Sequence, residues 1–539
     1  MKKNQLSNRL ILFAAIFFFG QIEPQAQVYI EPCVMPLNST PSVLSFPANC
    51  LNSSTAYSST YSKPQKYIPV SGLPGDPIIT LKLTLHIFND INGNGVWVNN
   101  SNFTNGVPAL NSMLSFITNG QTDRMSQPRS ATYTSPTFIS QLFPSDSRLQ
   151  YEVTNIYFYN IQSLYTTPSD GALFAHINSI DPQRLEEGMP ICINNSGAAG
   201  HLSGTNGAPA VVTSVNWSDP LFWRNHLRHE IGHALGLGHT YANTLGGGSD
   251  WQNFNAACGS IDYASDVFPS NMTHCPIDQI FNPPFPNPPT NACTSCFEFA
   301  DNTFNNTSNN LMGGQGNNVW MSPIQMGRRL RSMHLSPIRK FAKDFTVARF
   351  NNATFFNTWD ITTNETWDFD IQVYRDIIVK AGKTLKIACK VAMPIDGKII
   401  VEKGAKLIID GGEVTGWCKT GFWNGIQIDG TYGADQLIFN PTGYCPNQGI
   451  VEVINGGTIS KAANAITNGT TDNYGNFNWG SQGGIIICNN ANFINNARDV
   501  QFLSYQSPLG NDKSNFVNCS FKTTSALIGN ALPFARVTL

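Results

Sequence analysis

One stretch of the chain repeats. Residues 377–387 (IIVKAGKTLKI) return as residues 399–409 (IIVEKGAKLII), 22 residues later. Ile377/Ile399, Val379/Val401, Gly382/Gly404, Leu385/Leu407 and Ile387/Ile409 stand in register. Less regular echoes follow at residues 425–428, 450–453 and 484–487. Short alternating strands broken by Gly and Asn at such a period are the pattern of a solenoid: one coil cannot bury its own apolar face, so coils must stack. The rival is an ordinary β-sandwich with coincidental similarity, and the in-register match favours an all-β, right-handed parallel β-helix-like solenoid over residues 371–539. No capping coil is evident before Leu539, which suggests a truncated solenoid or an end covered by a partner.

The other end of the chain speaks to location. Lys2, Lys3 and Arg9 precede an apolar run at residues 10–20, and a polar stretch ends in Gln25-Ala26-Gln27. That is the order of a signal peptide cut after Ala26. The alternative, a short membrane anchor, has too few apolar residues to span easily. The expectation is an exported, secreted protein with no membrane span. Charged residues are 13% of the chain and the net charge is −2, against a usual charged share of roughly 25%. No nucleic-acid partner is expected from so sparse and balanced a charge, and 41% hydrophobic residues exclude a disordered chain. The twelve cysteines of an exported chain read first as disulfides.

Between these ends the 539 residues read as several domains. Residues 27–66, rich in Ser, Pro, Asn and Thr, form an irregular leader or pro-segment. Residues 67–345 read as an α/β (α+β) domain. Strands are expected at 78–88, 153–164 and 210–217. A helix is expected over 108–125, where Leu110, Met113, Leu114 and Ile117 share a face. Asp219-Pro220 reads as the start of another helix, and Ser322-Pro323 as the start of one running to about Met333. Residues 241–310 are a long Gly-, Asn- and Pro-rich loop, of a length that calls for staples, ions or a function. Residues 346–370 read as a linker.

The chemistry-bearing stretch is His229-Glu230-Ile-Gly-His233-Ala-Leu-Gly236-Leu-Gly-His239. On a helix His229 and His233 share one face, while Leu227, Ile231, Ala234 and Leu235 can bury the other. Two imidazoles so placed can take adjacent corners of a Zn²⁺ tetrahedron, Gly236 lets the chain turn sharply, and His239 returns as the third ligand. Three protein ligands leave the fourth position open, as a catalytic site requires. Glu230 sits where a general base would act on water. The competing reading, a structural helix with buried histidines, leaves three imidazoles to be desolvated without compensation. A structural zinc site usually takes four protein ligands.

On these residues the chain resembles the metzincin metalloproteases, and in particular their pappalysin-like branch. Thr240-Tyr241 after the motif, the Met-turn-like Asn310-Leu311-Met312-Gly313, and residues 322–329 (SPIQMGRR) carry the likeness. The resemblance implies peptide-bond hydrolysis of a protein or peptide substrate by water at one zinc ion. It implies Met312 as the apolar floor of the site, with Met321 and Met326 as alternatives. The family usually places Tyr two residues after that Met; here Gly314 stands there, so Tyr241 or a backbone amide would serve the oxyanion. Asp262 and Asp266 occupy the place of an acidic, calcium-linked loop, a Ca²⁺ site or a solvated turn. The resemblance favours Cys258–Cys293 and Cys275–Cys296 disulfides, with a second metal site at Cys293 and Cys296 the rival. Cys33 and Cys50 read as a disulfide, the alternative being Cys33 as a latency thiolate on the zinc. A different reading makes the chain a secreted adhesion or glycan-binding protein, the solenoid contacting glycan or cell surface beside a weakly active or inactive peptidase domain. A third, polysaccharide degradation by Asp410, Glu413, Asp429 and Asp435, competes with their role as solvated turn residues.

Overall fold

The computed structural model describes residues 60–70, 75–124, 145–195, 201–205, 208–214, 220–237, 311–312, 320–347, 357–418, 420–439, 443–473, 475–510, 512–524, 527 and 535–538. The alternating stretch expected as a strand at 78–88 is β1 (Ile79–Asn89). It pairs in parallel with β2 (Leu149–Asn160) and with β3 (Met189–Asn194). Beyond β3 lie β5 (Ala208–Ser214), parallel, and β4 (His201–Thr205), antiparallel to β5. The sheet order is β2-β1-β3-β5-β4.

β1 is buried on both faces, one aliphatic and the other carrying the buried polar side chains of Lys82, Thr84 and His86. One face sets Leu81, Leu83 and Leu85 against Leu110 and Leu114 of helix α1 (Val107–Thr118) and Leu227, Ile231 and Leu235 around helix α4 (Pro220–Ala234). The other sets Phe88 against Leu173 and Ile177 of α3 (Asp170–Ile180). The expected helix over 108–125 stops at Thr118, where Gly120 turns the chain at φ +65°. The strand expected over 153–164 ends at Asn160, and Gln162–Thr166 is a short helix, α2. Helix α5 (Pro323–Leu335) begins at Ser322 with a capping box: Gln325 N donates to Ser322 Oγ (3.1 Å) and Ser322 N to Gln325 Oε1 (3.0 Å), so two end donors are satisfied reciprocally.

The C-terminal part is a β-helix-like solenoid of three parallel sheets. Six successive coils contribute one strand to each, and one further strand adds a seventh to the first. The first sheet stacks β6 (Trp359–Ile361), β9 (Ile377–Val379), β12 (Lys398–Val401), β15 (Gly425–Ile428), β18 (Asn464–Thr467), β21 (Arg498–Gln501) and β24 (Ala535–Thr538). The second stacks β7 (Glu365–Trp367), β10 (Thr384–Ile387), β13 (Lys406–Asp410), β16 (Ile450–Ile454), β19 (Ile485–Asn489) and β22 (Asn515–Val517). The third stacks β8 (Ile371–Gln372), β11 (Lys390–Met393), β14 (Glu413–Gly416), β17 (Thr458–Ser460), β20 (Asn492–Ile494) and β23 (Ser520–Lys522). The register is the one the repeat dictates: Ile377 pairs Ile399, Val379 pairs Val401, Leu385 pairs Leu407 and Ile387 pairs Ile409. Gly382 N donates to Gly404 O at 2.9 Å, and both glycines sit at positive φ, +72° and +73°. Lysine–carboxylate pairs link neighbouring coils outside, Lys386–Asp410 at 2.6 Å and Lys406–Glu452 at 2.6 Å.

The first coil starts at Trp359, inside the segment read as a linker. It lacks the aliphatic-glycine pattern and fills its interior with Trp367 and Phe369. This coil is built onto the preceding part. His334 of α5 packs edge-on against Tyr67, Trp359 and Tyr374 at ring separations of 5.0, 5.7 and 5.0 Å. Tyr374 Oη donates to Met333 O (2.9 Å), and Arg375 pairs with Asp76 (2.7 Å). Lys66, in the last residues of the expected leader, pairs with Glu365 at 2.6 Å. Tyr374 and Trp417 belong to the same apolar cluster as β1 and α4.

The cysteines depart from the all-disulfide expectation. Cys192, Cys445, Cys488 and Cys519 are free thiols, whereas Cys389 and Cys418 are disulfide-bonded. Cys192 is a core residue of β3 and Cys488 of the solenoid interior; burial pushes both thiols up, as for small apolar residues.

Candidate metal centre and active site

Helix α4 carries His229, Glu230 and His233. The i, i+4 spacing brings the two imidazoles to ring centroids 4.9 Å apart with planes at 83°. His229 Nδ1 lies 2.7 Å from Leu311 O, and His233 Nδ1 lies 2.8 Å from Leu237 O. A carbonyl only accepts, so both Nδ1 atoms carry the proton and both Nε2 atoms carry the lone pair. That is the tautomer and the outer-shell arrangement of metal-binding histidines.

The helix ends where Gly236 predicts. Gly236 has φ +85°. Gly236 N donates to His233 O (2.9 Å) and Leu237 N to Gly232 O (3.0 Å), the two bonds of a Schellman motif. Helix α5 clamps this turn: Ser332 Oγ donates to Leu235 O at 2.7 Å, and the Arg328 guanidinium donates to Gly236 O at 3.1 and 3.2 Å. Thus the turn that leads towards His239 is fixed from outside the motif.

Met312 lies directly beneath the histidine helix. It is fully buried with Leu237, Leu311, Met321 and Met326. A Cβ at Gly232 would stand 2.7 Å from Met312 Sδ. The absence of a side chain at residue 232 therefore lets the methionine pack onto the helix. Met321 and Met326 join the same apolar cluster.

Glu230 is 4% exposed. Its Oε1 is 3.5 Å from His226 Nε2, and its Oε2 has no hydrogen-bond partner among the described residues. Burial raises its carboxyl to about 7. Two imidazoles on one helix face and a buried carboxylate on the same helix are donor types that a divalent cation accepts. Beneath the site Asp123 pairs with Arg228 Nε of α4 (2.6 Å) and with Arg329 of α5 (2.8 Å), and accepts from Tyr151 Oη (3.2 Å). Burial opposes ionisation of Asp123, but the two guanidinium groups hold its carboxyl below the usual range. This cluster fastens α4 to α5 from below. Sequence reasoning missed it: Asp123 lies far from both arginines in the chain.

His239, Tyr241, Asp262, Asp266, Gly314 and cysteines Cys33, Cys50, Cys258, Cys275, Cys293 and Cys296 lie outside the described residues. Among the described residues no group of three or more His, Cys, Asp or Glu forms a cation site; the third expected ligand is not among them. Asp410 and Glu413, considered for sugar chemistry, are instead paired across coils with Lys386 (2.6 Å) and Lys390 (3.1 Å). No helix among the described residues is long and apolar enough to cross a membrane. Comparison with protein-family models, with curated proteins and with solved structures found no match.

Proposed function

We propose that the chain is a secreted zinc-dependent endopeptidase of the metzincin kind, resembling the pappalysin-like branch, in which His229, His233 and His239 hold one zinc ion and Glu230 is the general base. The observation that carries this reading is the pair of perpendicular imidazoles whose Nδ1 protons are held by Leu311 O and Leu237 O. Zinc, when bound, supplies Lewis acidity towards a substrate carbonyl and lowers the pKa of a water to about 7.

The chain's own groups do the rest. The carbonyls of Leu311 and Leu237 fix the orientation of both imidazoles and leave Nε2 as the ligating atom. Glu230, raised to about 7 by burial, is matched to accept a proton from water and return it to the leaving amine near neutral pH. Met312 excludes water from under the helix. Export through the signal peptide, and Ca²⁺ at Asp262 and Asp266, belong to the same proposal.

The test is cleavage of a proteome-derived peptide library by the purified chain, with metal analysis alongside. Chelator-sensitive cleavage is expected, with about one zinc per chain. Glu230→Gln should keep the zinc and lose activity by about 10²–10⁴-fold. Cleavage that survives chelation, or a Glu230→Gln variant as active as the parent, overturns the assignment.

A further inference from the structure

The corners of the solenoid are unequal. Between first-sheet and second-sheet strands the early coils turn tightly, at residues 362–364, 380–383 and 402–405. The next three coils carry long insertions at that same corner, residues 429–449, 468–484 and 502–514. Stacked in successive coils, they build one lobe.

The lobe is held by hydrogen bonds from loop to loop. Tyr432 N donates to Gly480 O (2.9 Å), Gln436 Nε2 to Gly483 O (2.8 Å), and Lys513 N to Gln436 Oε1 (2.6 Å). Asn468 bridges to the third loop, giving Nδ2–H to Leu503 O (3.1 Å) and taking Leu503 N–H at 2.6 Å. Gly483 packs so closely that a Cβ there would stand 2.7 Å from the Tyr505 ring. The surface is therefore preorganised rather than floppy.

On this rigid base aromatic rings face solvent. Trp479 is 75% exposed, Tyr432 55% and Phe439 54%. The Phe477 ring props Trp479 at 6.0 Å, and the Tyr432–Gly480 bond sets Tyr432 beside the Trp479 backbone. The loop that carries Trp479 also carries the exposed amides Asn473, Asn476 and Asn478. The charged residues of the three loops are Asp429, Asp435, Asp472, Asp512 and Lys513. A protein partner at a rim so poor in charge would find few groups for electrostatic steering. A neutral sugar chain needs none. It needs flat apolar faces for its axial C–H groups and amide or hydroxyl partners for its equatorial hydroxyls.

We propose that this corner lobe binds a neutral β-linked polysaccharide, its pyranose rings stacking on Trp479 and Tyr432 while neighbouring amides take the hydroxyls. The site uses no residue of the histidine helix and stands independently of the peptidase reading. Native affinity electrophoresis of the full chain tests it, with hydroxyethyl cellulose (β-1,4) and laminarin (β-1,3) in the gel and dextran (α-1,6) as the contrast. Retardation in at least one β-glucan and not in dextran is expected. Trp479→Ala should weaken it about ten-fold or more, from loss of a large buried ring face on binding, Trp479→Phe should restore part of it, and Glu230→Gln should leave it unchanged. Trp479 is exposed, so its removal leaves the fold standing, which circular dichroism checks. Mobility unaffected by either β-glucan, retardation by dextran alone, or a Trp479→Ala variant retarded like the parent overturns the proposal.

Discussion

The contact between Gly232 and Met312 makes a sharp test of how the candidate metal centre is built. An alanine at residue 232 has two opposed effects. In the last turn of α4 it improves helix propensity by about 1 kcal/mol at most. It also places a Cβ 2.7 Å from Met312 Sδ, in the middle of a fully buried side chain rather than at a loose tip, and overpacking of that kind costs about 1–3 kcal/mol. The clash offsets or exceeds the gain, so Gly232→Ala is expected to destabilise by about 0–2 kcal/mol, the difference of those two effects. Met312→Ala, a large-to-small change at a fully buried site, should cost about 2–5 kcal/mol. In the Met312→Ala background the new methyl group meets open space and only the propensity gain is left. The double-mutant coupling should therefore be about 1–3 kcal/mol, the double variant being more stable than the sum of the two single costs predicts. Urea denaturation of the four proteins, followed by fluorescence and circular dichroism, measures it. If Gly232→Ala alone stabilises by about 1 kcal/mol, or if the two changes add within about 0.5 kcal/mol, then Met312 does not sit against this helix.

Two further outcomes follow from buried charge. Asp123→Ala removes the shared carboxylate from Arg228 and Arg329 and should cost about 3–5 kcal/mol, read as a lowered urea midpoint; a change below about 1 kcal/mol would mean the cluster is solvated. His86 and His334 are buried and held neutral, each lowered to about 3 by desolvation. The unfolded chain takes up these protons near pH 6.5 and the folded chain only near 3, so the folded state loses about 1.4 kcal/mol per pH unit per histidine as pH falls through that window. Stability measured from pH 7 to 5 should fall accordingly and more gently in a His86→Gln variant; a flat profile would contradict the burial of both rings.

What the sequence disclosed and what it withheld divide along one physical line. Local and periodic patterns were legible. The spacing of Ile377, Val379, Leu385 and Ile387 with their counterparts is also the pairing register, because matching places of two equal coils stack one above the other. Ser322 with Gln325 opens a helix from information within one turn, and His229 with His233 meets on one face for the same reason. Contacts between distant segments were not legible. The first coil hid inside residues 346–370 because Trp367 and Phe369 share its interior with Ile361 and the glycine of the repeat is missing. Asp123 gave no sign of its arginines. The three insertions at one corner have no periodicity of their own, and only the stacking of β15, β18 and β21 shows that they coincide in space.

The segment once read as a linker has a mechanical consequence. A flexible tether would let the two halves of the chain sample a wide sphere of separations and orientations. Here the aromatic nest around His334 and the Tyr374–Met333 bond weld them like a handle to a blade. The first coil is therefore fixed to the preceding part by packed rings and a buried hydrogen bond, and does not hang from it on a leash.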